Sequence, residues 1–190
     1  MQFPRGYVGT NHETIGSDVI AVLATLRSPE EVLGAALHAR LKDMKPDAWY
    51  PVSTLLDLLE HLARRVGVAS VTKMGRQLFL DSHKAATQQQ LTSAGDVVFG
   101  IDALYRRANR GEQLGGWVVK GFRPGFALLE KTTPHHCALE EGILLEALHG
   151  LGAECLITQT QCLRRGDPLC VFELHSAVRD ARWMGKWPVL

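Results

Sequence analysis

Apolar positions recur at helical spacing along most of the first 110 residues. Ile15, Val19, Ile20, Val22, Leu23 and Leu26 predict a helix over about 14–26. Ser28-Pro29-Glu30-Glu31 reads as a helix start, with Ser28 as cap, Pro29 in the first turn and Glu31 closing a capping box. Val32, Leu33, Ala36, Leu37 and Leu41 supply its buried stripe. Lys45-Pro46-Asp47 interrupts the chain, and Trp49-Tyr50-Pro51 leads into the next helix. There Leu55, Leu58, Leu59, Leu62 and Val66 form one apolar stripe that Gly67 ends. Further helices are predicted over 70–83 and around Val97–Tyr105. Arg106, Arg107 and Arg110 close the latter, where positive charge suits the negative end of the helix dipole. The first dozen residues read as a short strand or a loop, and the glutamine-rich stretch 85–93 as a loop or an exposed turn of helix.

The period changes at Gly115. Trp117, Val118, Val119, Phe122, Phe126, Leu128 and Leu129 flank Arg123-Pro124-Gly125, the pattern of two strands and a tight turn. Pro134 precedes a helix to about Leu151, and 154–162 with 169–175 form a second hairpin about Gly166-Asp167-Pro168. The expected architecture is α+β: a helical N-terminal layer packed on a small antiparallel sheet with an inserted helix, in one domain spanning 1–190.

A length of 190 residues, with 46% hydrophobic and 22% charged residues, suits a single ordinary globular domain. The net charge of +1 lacks the basic excess of a nucleic-acid binder. No apolar run reaches about 18 residues, so no membrane span is expected. Met1–Gly6 lacks the pattern of an export signal, which points to a cytoplasmic location.

All four cysteines fall late, at Cys137, Cys155, Cys162 and Cys170. Cys162 and Cys170 lie symmetrically about Gly166, so a turn there sets them across an antiparallel pair. Cys137, at the start of the inserted helix, is placed to join them, and three convergent sulfurs make most of a zinc site. The competing reading is three reduced thiols packed as small hydrophobes. Cys155, seven residues before Cys162, is too far along its strand to share the site. His135 or His136 could supply a fourth donor. Read as a nucleophile with its base, His136 and Cys137 point about 100° apart on a helix and have no identifiable oxyanion site.

Cys137 and the run from Cys162 through Gly166-Asp167-Pro168 to Cys170-Val171-Phe172-Glu173-Leu174 resemble the closing signature of 4-vinyl-reductase-type domains. Those small-molecule-binding domains share a fold with haem nitric-oxide-binding domains and with small subunits of the vesicle-tethering TRAPP complexes. Pro134-His135-His136-Cys137, Trp49-Tyr50-Pro51 and Met74-Gly75-Arg76 are similar to stand-alone bacterial relatives. The resemblance is sharp over about residues 115–175 and looser before that. It implies zinc on Cys137, Cys162 and Cys170, with a glutamate three residues before the second cysteine; that position is Gln159 here. Phenol-sensing relatives orient their ligand with a strand tryptophan, which marks Trp117 as the first pocket candidate, with Phe126 and Tyr105 behind it.

No Tyr-x-Ser-x-Arg motif of the haem-propionate type is present, so no haem is expected. His83 is the nearest thing to an axial ligand, and surface histidine is its ordinary explanation. The expected role is non-catalytic: sensing of a small apolar, aromatic or lipid-like ligand, relayed by a homodimer or a regulatory protein partner. The alternative is an assembly protein like the tethering subunits; tetrapyrrole reduction, suggested by the family's name, lacks a nucleotide-binding glycine pattern. Arg182-Trp183 and Lys186-Trp187, in the tail 179–190, suit either docking on a partner or covering the chain's own core.

Overall fold

The apolar stripes form helices, each cut to the length its turns allow. The computed structural model describes residues 11–190. Residues 1–10, most of the segment read as strand or loop, lie outside the described residues. A short strand β1 (Glu13–Ile15) runs directly into α1 (Gly16–Ala24). The helix expected over 29–41 splits into α2 (Pro29–Leu33) and α3 (Ala35–Leu41). Gly34 between them sits at φ 78°, which a continuous right-handed helix excludes. Ser28 makes no side-chain cap, so the capping box does not form. Trp49–Pro51 is strand β2, followed by α4 (Val52–Val66) and α5 (Val68–Leu78). A π-helical turn (Phe79–His83) and α6 (Lys84–Thr87) lead to α7 (Ala94–Ala108), capped by Ser93. The short strand β3 (Asn109–Arg110) closes the first half. Strands β2, β1 and β3 form a small antiparallel sheet too short to show as a hydrophobic period.

The second half follows its pattern closely. Strands β4 (Trp117–Arg123) and β5 (Phe126–Lys131) meet at Pro124-Gly125, then α8 (Cys137–His149) intervenes. Strands β6 (Cys155–Gln161) and β7 (Cys170–Ser176) complete an antiparallel sheet of order β4-β5-β7-β6. The architecture is α+β, with helices on one face of this sheet. Phe122, Ala127, Leu129, Phe172 and Leu174 form the covered face and are solvent-excluded. α8 crosses α5 where both helices carry glycine: a Cβ on Gly75 would lie 2.0 Å from the Leu139 carbonyl oxygen, and one on Gly142 2.0 Å from that of Thr72. This close crossing seats the start of α8 over the sheet.

The tail turns inward. Trp183, on the short α9 (Ala181–Met184), is fully buried, and its Nε1 donates to the Arg123 carbonyl at 2.9 Å. Trp187 stacks on Phe99 with centroids 4.2 Å apart and donates to Asp96 at 2.8 Å. Among the described residues no helix is long and apolar enough to cross a membrane.

Candidate functional site

Two polar features lie between the helices and the sheet, joined by Lys131. The first is the sulfur cluster. Strand β6 carries a bulge between Gln159, which pairs with Phe172, and Gln161, which pairs with Val171. Without it, alternation would turn Cys162 to the open face; the extra residue restores it to the covered face beside Cys170. A 3-10 turn (Leu163–Arg165) and Gly166 at φ 97° then close the loop. The Cys137 sulfur, from the first position of α8, lies 3.7 Å from that of Cys162 and 3.5 Å from that of Cys170. Tetrahedral zinc with bonds of about 2.3 Å needs sulfurs about 3.8 Å apart, so the spacing fits that ion. All three residues are buried, and the Leu163 N–H donates to the Cys170 sulfur at 3.3 Å.

The hydrogen bond from Cys170, reinforced by Lys131 against the effect of burial, holds the Cys137 thiol down to about 4. Cys170, which supplies that bond and is itself buried, is pushed up in turn. Cys155 pairs with Ser176, six residues along β7 from Cys170, and burial pushes its thiol up to about 12. It stands apart, as its position predicts. The expected histidine donors do not join the group of sulfurs. His136 caps α8, its Nδ1 accepting the Ala138 N–H at 3.2 Å, and His135 faces the second feature.

That feature is a cleft between α7, α8 and the sheet, with a cavity of about 30 Å³, the room of a single water. Trp117, Tyr105, His83 and His135 all reach it. Trp117 opens β4 on the covered face, its ring 5.4 Å from Phe172. The Tyr105 hydroxyl donates to the Leu114 carbonyl at 2.7 Å, and its ring meets His135 edge-on at 5.3 Å. Phe126 is a correction. It pairs with His175 and lies under the Arg123 guanidinium (3.9 Å) on the open face of the sheet, because strand alternation opposes it to Ala127 and Leu129. His83 is another: it is buried rather than superficial, with Nε2 3.6 Å from the Asp18 carboxylate.

Two residues that line the cleft each carry a buried polar atom without a hydrogen-bond partner, Trp117 Nε1 and His135 Nε2. Burial, followed by Lys131 and His12, holds the His135 imidazole down to about 3, so it is neutral. Lys131 ties two of the lining residues together. It is solvent-excluded, donates to the His135 carbonyl at 2.8 Å and pairs with Glu140, which also accepts from Thr133 at 2.7 Å. Sequence reasoning missed Lys131, Glu140, Asp18 and the cleft role of His135. The one visible signal was a lysine in phase with the inward Ala127 and Leu129.

No protein-family model matches the chain, and no curated relative does. Solved structures do match in fold. A triple-alanine mutant of the H-NOX protein of S. oneidensis, in the Fe(II) ligation state, superposes with TM-score 0.65 and 17% identity, covering 89% of this chain and 99% of its own. The H-NOX protein of S. oneidensis in the Fe(II)NO state gives 0.65 and 17%, covering 85% and 98%. The unliganded Fe(II) H-NOX protein of K. algicida gives 0.65 and 11%, covering 85% and 96%. The fold is therefore that of the haem nitric-oxide-binding domains. This overturns the expectation of no haem, which rested on one missing motif: the fold neighbours are themselves haem domains. The cleft residues here answer to that group unequally. The neutral, unpartnered nitrogen of His135 has the chemistry of an iron ligand, whereas the small cavity must widen to take a macrocycle.

Proposed function

We propose that this chain is a non-catalytic small-molecule sensor domain whose ligand sits in the helix–sheet cleft with its polar end between Trp117 and His135. The single observation that carries this reading is the pair of buried, unpartnered atoms, Trp117 Nε1 and His135 Nε2, on two residues that line one small cavity. Leaving a polar atom buried without a partner costs about 1–3 kcal/mol, and a ligand oxygen or a metal centre relieves that cost. Other polar groups of the cleft already have partners: Glu140 holds Lys131 and Thr133, and Tyr105 holds Leu114. With Lys131 already paired to Glu140, the arrangement favours a neutral ligand. The small volume favours a compact ligand over a lipid-like chain, and even a single ring requires the cavity to widen. Signal leaves the domain through a second copy or a regulatory partner, to the extent that the ligand prefers one of two states.

Cys137, Cys162 and Cys170 serve as a structural zinc clasp in this reading, tying the start of α8 to the β6–β7 turn. Gln159 occupies the position where the resembling domains place a glutamate, so three thiolates dominate the donor set.

Haem is the second reading, favoured by the neutral imidazole of His135. Bound there, it would supply an iron centre for a diatomic gas. His135 would offer Nε2 to it, Trp117 would offer a hydrogen bond nearby, and Ile101, Leu104 and Ile143 would move aside.

The test follows the Trp117 indole N–H by NMR while phenol, and separately haemin, is added. A Trp117 shift with either probe, lost in His135→Ala, is expected. A haem absorption band that vanishes in His135→Ala selects the second reading. A Trp117 signal unmoved by both probes defeats the cleft as the ligand site.

A further inference from the structure

A second pocket, open to solvent, lies between α7, α8 and the tail, with a volume of about 180 Å³. We propose that it is a binding site for a small aromatic carboxylate, separate from the cleft. The floor is apolar, made by Val97, Ile101, Leu104, Ile143 and Ala147. At Gly100 the α7 backbone is bare, and an added Cβ would meet only Leu91, at 3.8 Å. A dry apolar cavity of about 150 Å³ accepts benzene, so the volume suits one ring.

The rim supplies the charge. Arg107 and Lys186 stand at the mouth with a single carboxylate, Asp96. Asp96 is buried and engaged. One oxygen accepts from the Thr92 backbone (3.1 Å), the Thr92 hydroxyl (2.8 Å) and Ser93 (3.0 Å); the other accepts from Trp187 (2.8 Å), with Lys186 at 3.9 Å. Arg107 makes one long bond, 3.4 Å to the Ala86 carbonyl, and no ion pair among the described residues. Two cations against one saturated anion leave one positive charge over an apolar floor. A monoanion with a ring-sized apolar body matches both, and a guanidinium takes a carboxylate by two parallel hydrogen bonds. Ile101, Leu104 and Ile143 also line the sensing cleft, so an occupant here bears on its wall.

The test titrates ¹⁵N-labelled protein with benzoate, benzyl alcohol and acetate, following the indole signals of Trp187 and Trp117. Benzoate is expected to move Trp187 and to bind about tenfold or more tightly than either the neutral ring or the ringless anion. Arg107→Gln and Lys186→Gln, both on the surface, are expected to weaken benzoate by about threefold to tenfold with the spectrum otherwise unchanged. Benzyl alcohol binding as well as benzoate overturns the proposal, as does undiminished binding by both charge variants or no Trp187 response. A benzoate response confined to Trp117 also overturns it, while leaving the cleft reading intact.

Discussion

Lys131→Met keeps most of the volume of a side chain that solvent does not reach, and removes its charge. Glu140, its partner, is itself only 5% exposed, and of its two donors only the Thr133 hydroxyl would remain. Removing one member of a buried pair costs about 3–5 kcal/mol, because the other keeps its full desolvation penalty. The His135 carbonyl loses its donor as well, worth about 1 kcal/mol. In a chain of this size about 1 kcal/mol moves the thermal midpoint by about 2–4 °C, so a fall of roughly 8–24 °C is expected. Urea unfolding followed by circular dichroism measures the free energy directly. The double variant Lys131→Met/Glu140→Leu removes both charges and should return to within about 2 kcal/mol of the parent. A single-variant cost below about 1 kcal/mol, or a double variant no better than the single, refutes the buried-pair reasoning.

Gly142→Ala should destabilise by about 1–3 kcal/mol or more, since its Cβ would meet the Thr72 carbonyl oxygen at 2.0 Å; Gly100→Ala, with open space, is the matched control in a denaturant series. Protein prepared without chelator should carry one zinc per chain by elemental analysis, lost in Cys162→Ser and Cys170→Ser but kept in Cys155→Ser; full zinc in Cys162→Ser counts against the clasp. Acid should weaken the fold through His135. Above pH 6.5 the ring is neutral in both states. Below that the unfolded chain takes up a proton that the buried ring refuses down to about 3. Stability should therefore fall by up to about 1.4 kcal/mol per pH unit between those values, and His12 and His136, also lowered mainly by burial, act in the same direction. A urea midpoint that stays flat from pH 7 to pH 5 contradicts this.

Local pattern alone reached much of the molecule. The stripe from Leu55 to Leu62 is α4, the run about Pro124-Gly125 is a hairpin, and Cys162 and Cys170 flank the turn where their symmetry about Gly166 sets them. These features are legible because helical and strand periods, glycine at positive φ and hairpin symmetry are properties of neighbouring residues. Trp117 is a pocket candidate for a different reason, the family resemblance, and it lines the cleft with Tyr105, whereas Phe126 lies on the opposite face of the sheet.

Tertiary structure decided the rest. Which side of β6 carries Cys162 depends on a bulge that exists only because β6 pairs with β7. His135 and Trp117 are eighteen residues apart in sequence, and the pairing of β5 with β4 and the seating of α8 against α5 bring them to one cavity. Lys131 and Glu140 are tolerable in the interior only as a pair, and no sequence period announces a pair made between a strand and a helix. The amino-acid order by itself settled the main helices and the two hairpins, though not the break at Gly34 or the small β2-β1-β3 sheet; the packing of those elements settled which groups were left without partners, since whether a buried atom is satisfied depends on what the rest of the chain brings within hydrogen-bonding distance.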